Sequence, residues 1–140
     1  VTDLVRLGNK GAAAIEFALI APALIMLMFA ILVYSTYFAT YIGVRQAAAE
    51  GARAALAGLS TSERTTLATA RAQQVLDQYG LMLSAGSQPD IRAGVGASGS
   101  FEVKISYDIS GSPIMRYGAL LPLPNTTITS SVIVGNGSYS

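Results

Sequence analysis

The sequence predicts an α+β protein suspended from one long apolar helix. Three observations carry that prediction. No charged residue occurs from Phe17 to Val44. Ser60 and Glu63 have the Ser-x-x-Glu spacing that opens a helix. FEVKISYDI, residues 101–109, alternates apolar and polar side chains as a half-buried strand does.

The apolar run comes first because it sets the class. At about 1.5 Å per residue it reaches roughly 42 Å, whereas a bilayer core is crossed by about 20 residues. The apolar region of a cleavable secretory signal is shorter, about 7–15 residues, so the run reads as a retained anchor. A chain of 140 residues cannot bury so long an apolar helix on every face. Pro22 lies inside the run, removes one helical hydrogen bond and is expected to bend the helix. Tyr34, Tyr37 and Tyr41 cluster at its far end, where tyrosines mark a membrane–water boundary or, alternatively, fill a domain core.

Composition narrows the function. Only 12% of residues are charged and the net charge is +1, which leaves no dense basic face for nucleic acid. The chain has neither cysteine nor histidine. Thiol and imidazole catalysis are therefore absent, and zinc or transition-metal sites lose their usual ligands. No phosphate-binding loop, dinucleotide fingerprint or nucleophile elbow is present. Asp77, Asp90 and Asp108 could in principle act as paired carboxylates, but their spacing reads as exposed surface. The expectation is a non-enzyme without catalytic residues, metal or cofactor.

Beyond the run, GVRQAAAEGARAALAG (residues 43–58) continues the helix into water, since alanine is the best helix former. Gly43, Ala47, Gly51 and Ala55 recur every fourth residue and form a small-residue ridge along which helices can approach closely. Gly58 suits a helix C-terminus. A second helix is expected over about 61–79, with Ala68, Ala72, Val75, Leu76 and Tyr79 on one face. Residues 84–100 read as a loop or weak strand. TTITSSVIV, residues 126–134, should pair antiparallel with 101–109, with Ile128, Val132 and Val134 on one face. The intervening segment is too apolar for an ordinary loop. Its Ile114, Met115, Tyr117, Leu120, Leu121 and Leu123 belong either to the core or to a membrane or partner contact.

The segment KGAAAIEFALIAPALI, residues 10–25, resembles the start of the TadE/TadG-like pseudopilins of tight-adherence pili, a branch of the type IV pilin superfamily. Those proteins carry a glycine, four small or apolar residues, Glu-Phe and then an apolar run with a proline. Gly11, Glu16, Phe17 and Pro22 stand at those positions, and RQAAAEGARAALAG (residues 45–58) is similar to the segment that follows the span in that family.

The resemblance implies a minor pilin or assembly factor in a bacterial inner membrane. It also implies a prepilin peptidase that cuts between Gly11 and Ala12 and leaves Glu16 at the fifth mature position. Relatives that keep their leader make retention the alternative. Positive charge does not decide the orientation, because Arg6 and Lys10 on one side face Arg45 and Arg53 on the other. The resemblance places the N-terminus in the cytoplasm. The expected organisation is a cytoplasmic leader (1–11), a transmembrane helix (12–44) and an extracytoplasmic α+β domain (45–140). The expected partners are membrane lipid and other membrane or pilin subunits, without nucleic acid. The rival reading is a single-span accessory subunit of an unrelated membrane complex.

Overall fold

The computed structural model describes residues 2–80, 87–113, 115, 121–122 and 125–135, with side chains from residue 11 onward. The order of elements is α1 (Thr2–Ala55), α2 (Thr61–Gln78), β1 (Asp90–Val95), β2 (Phe101–Asp108) and β3 (Thr127–Val134). The architecture is α+β. The chain forms two compact units, Val1–Ser35 and Thr36–Ser140. The first consists of α1 alone, which continues through Pro22. The folded unit begins well before Val44, the last residue of the uncharged run, because the alternation of buried and exposed positions on α1 has already started. Thr40, Gly43 and Val44 are buried.

In the second unit, the last turns of α1 and all of α2 form an antiparallel pair. A side chain at Gly43 would meet the Tyr79 ring, and one at Gly51 would meet Ala68 and Ala72. The five-residue connection 56–60 is held at both ends. Ser60 caps α2 by accepting from the Glu63 amide at 3.2 Å. The Glu63 carboxylate reaches back to the Leu59 amide at 2.9 Å, one residue upstream of the amide that the usual reciprocal box engages. Gly58 stands three residues past the end of α1, and close approach accounts for it. A Cβ there would lie 2.7 Å from the Arg64 amide nitrogen, and the Arg64 Nε donates to the Gly58 carbonyl at 3.1 Å.

The sheet is antiparallel in the order β1-β2-β3. The stretch first read as a loop or weak strand contains β1, paired with β2 from Asp90↔Ser106 to Val95↔Phe101. Their hairpin turns through Gly99, whose φ of +76° favours glycine. The β2–β3 register, Phe101↔Val134 through Asp108↔Thr127, places Phe101, Val103, Ile105 and Tyr107 on the same face as Val134, Val132, Ser130 and Ile128. That face meets the helices. Val44, Ala47, Ala48, Ala72, Val75 and Leu76 form one core cluster with Ile105, Tyr107, Ile109 and Ile128. Ala52, Ala55 and Ala68 form a second cluster with Phe101 and Val103. The small alanines let α1 come close, while the large β2 side chains fill the space they leave.

Met115 packs against the first cluster, which assigns that residue of the apolar segment 111–125 to the core. Ile114, Tyr117, Leu120 and Leu123 lie outside the described residues. So do the side chains of Arg6 and Lys10.

Candidate functional site

The residues singled out by the sequence fall on two stretches of α1 with opposite surroundings. From Gly11 to Leu32 every residue is exposed except the half-buried Ala21 and Ala30. Ile15, Phe17, Leu19 and Ile20 are each more than 60% exposed. Within the most apolar window of this helix only 6% is buried. In water such a surface would carry a large hydration cost; in hydrocarbon it carries none. Among the described residues this is one helix long and apolar enough to span a membrane.

Gly11, Ala12, Glu16 and Phe17 sit on the first turns of that surface, all exposed. A Cβ built on Gly11 would meet nothing within 4 Å, so packing inside the chain does not require glycine there. Among the described residues Glu16 makes no ion pair. The motif is therefore open to outside agents.

The ridge of Gly43, Ala47, Gly51 and Ala55 is different. All four residues are buried. A Cβ on Gly51 would approach the Ala68 carbonyl oxygen to 2.9 Å, and one on Gly43 would approach the Tyr79 ring to 3.0 Å. The ridge's neighbours are α2 and β2 of the same chain, because α2 returns antiparallel along it. Two polar links flank the seam. Glu50 bridges Arg53 at 2.9 Å and Arg71 of α2 at 3.5 Å, and the Tyr79 hydroxyl donates to the Gln46 side chain at 2.8 Å. These partners escaped the sequence reading, since Arg71 and Tyr79 lie more than twenty positions downstream and no local period links them to α1.

The three tyrosines also divide. Tyr37 packs against the core, and its ring meets Phe38 edge-on at 5.9 Å. Tyr41 lies on the surface under the Arg45 guanidinium, 5.7 Å from the ring centroid. The Tyr41–Arg45 spacing of four residues was the available signal for that contact.

Elsewhere the sheet's outer face is polar apart from the exposed Ile133. Asp77, Asp90 and Asp108 are exposed, as expected. Asp90 pairs with Arg92 at 2.8 Å. The Asp108 carboxyl is held below the usual carboxylate range, chiefly because it accepts from the Ser110 backbone amide at 2.9 Å. A groove beside β1 is lined by Thr65, Thr69, Arg92, Glu102 and Lys104. The Thr65 hydroxyl contacts the carbonyls of Thr61 and Ala93, so it fastens α2 to the free edge of β1 and is not held as a nucleophile. Among the described residues no three metal-ligating side chains converge.

An exposed apolar helix followed by a small α+β unit defines a membrane-anchored protein. Residues 11–53 match the family model for TadE-like proteins, and over that stretch the resemblance is shown. The family is one of pilus-associated structural or assembly components and not of enzymes. The match begins at Gly11 and ends inside α1, before α2 and the sheet. No curated protein and no solved structure matches the chain.

Proposed function

We propose that the protein is a minor pilin or assembly factor of a tight-adherence pilus. It sits in the bacterial inner membrane with its N-terminus in the cytoplasm and residues 45–140 outside. The observation that carries this reading is the exposed motif: Gly11 has open space around it, and Glu16, on a helix of apolar surface, has no ionic partner among the described residues. A peptidase needs access to the bond it cuts, and a bare glycine lets the backbone approach closely. Cleavage between Gly11 and Ala12 would free an amine four residues before Glu16. In a packed array of helices, where water is excluded, an unpaired carboxylate is costly. The amine of Ala12 on a neighbouring copy would neutralise it, so that subunits add in register through that pair.

The test is the share of Glu16→Ala protein in sheared filaments relative to the membrane-inserted pool, together with the intact mass of the mature chain. Glu16 lies at the mouth of the apolar run, so the substitution leaves insertion unchanged and abolishes incorporation. Normal incorporation would remove Glu16 as an assembly charge and leave the accessory-subunit reading standing.

A further inference from the structure

The surface of α1 within the folded unit divides into two faces. Thr40, Gly43, Val44, Ala47 and Ala48 are buried. On the opposite side Phe38, Tyr41, Ile42 and Arg45 follow the spacing i, i+3, i+4, i+7 that places residues on one side of a helix. Phe38 is 57% exposed, Ile42 56% and Tyr41 38%. Three large apolar or aromatic side chains thus lie together on a domain whose other side of the same helix is fully packed. They follow directly, along the chain, the apolar run read as the anchor.

Arg45 ends this face, and it differs from the other arginines nearby. Arg53 and Arg71 both reach Glu50, and Arg92 reaches Asp90. Among the described residues Arg45 has no acid within ion-pair distance. Its charge rests instead over the Tyr41 ring, which orients the guanidinium without neutralising it. An aromatic ring beside an arginine at the end of an apolar stripe suits a membrane–water boundary, where the ring sits among headgroups and the guanidinium reaches outward. The anion within reach there is lipid phosphate, which guanidinium binds with paired hydrogen bonds.

We propose that Phe38, Tyr41 and Ile42 seat the folded unit in the lipid headgroup layer, with Arg45 bound to lipid phosphate. The proposal rests on the reading of α1 as a membrane anchor. It makes the apolar face of residues 38–42 a membrane contact.

The chain contains no tryptophan, so one introduced tryptophan reports one position. Full-length protein carrying Ile25→Trp, Phe38→Trp, Ile42→Trp or Leu59→Trp is placed in phosphatidylethanolamine–phosphatidylglycerol vesicles containing a lipid brominated near the glycerol backbone. The expected result is a blue-shifted, quenched emission at positions 38 and 42, with Leu59→Trp, at the 96% exposed Leu59, unquenched. Ile25→Trp is quenched by a lipid brominated deep in the acyl chain. Quenching at 25 with water-like emission at both 38 and 42 leaves the anchor standing and overturns the proposal. Blue-shifted but unquenched emission at 38 and 42 overturns it in favour of a protein contact. No quenching at any position removes anchor and proposal together. Adding Arg45→Gln to Phe38→Trp should weaken quenching in these vesicles; unchanged quenching would remove the phosphate role of Arg45.

Discussion

Two stretches of one helix are both rich in alanine and have opposite physical tasks. Over residues 11–32 large side chains face outward in every direction, and the one glycine has nothing near it. Over residues 40–55 the large side chains give way to alanine and glycine on one face, and two of the glycines are in close contact with α2. A small residue in the first stretch leaves room for an outside agent. In the second it is what allows two backbones to meet. Helical period alone does not separate these cases; the difference lies in whether another element of the chain returns to cover the face.

The sharpest way to break the comparison is to place the same acid in each stretch. Val44→Asp buries a carboxylate where Val44 has no exposure. Without a partner it should cost several kcal/mol, on the order of 3–5, and unfold the second unit. Leu24→Asp should leave that unit folded and instead oppose insertion by about 3 kcal/mol. Protease resistance of the domain and the membrane-bound fraction, measured on both variants, separate the two effects. Resistance retained in Val44→Asp would show that the buried face is not a core.

Gly51→Leu is the next largest. Its side chain must enter a space already closed by the Ala68 carbonyl and Ala72, and overpacking of this kind costs about 1–3 kcal/mol. Gly11→Leu has open space and should leave the denaturant midpoint unchanged. Equal midpoints for the two variants would contradict the assignment of the ridge to the chain's own fold. The polar flank is worth less. Glu50 touches two arginines, one of them largely exposed, so Glu50→Gln should lower stability by no more than about 1 kcal/mol, with the loss shrinking in high salt.

The smallest effect is that of Asp108, which lies outside both stretches and serves as a reference. Its folded pKa is depressed, so its contribution is present above the ordinary carboxylate value and lost as pH falls through the lower folded value. Asp108→Asn should therefore remove a slight acid-side slope from the unfolding midpoint and leave neutral stability nearly unchanged. An NMR titration showing Asp108 at or above its ordinary value would cancel this prediction.

The sequence by itself determined the elements. The uncharged run from Phe17 to Val44 dictated the long helix because its length and polarity admit few other structures. Ser60 fixed the start of α2 by accepting from the orphan amide of Glu63, and the alternation of residues 101–108 fixed which side of β2 is buried. The Gly-x4-Glu-Phe motif was legible for the same reason, since all its residues are neighbours in the chain. What only the tertiary structure decided was which surface meets which. That Gly51 faces Ala68, that Tyr37 is core while Tyr41 is surface, that residues 90–95 pair as an edge strand, and that the domain begins at Thr36 all depend on contacts between residues distant in sequence. Local propensity and period are blind to such contacts. They are set by the closing of α2 and the sheet over one side of α1, where the burial of large β2 side chains against small helical ones outweighs the preferences of any single segment.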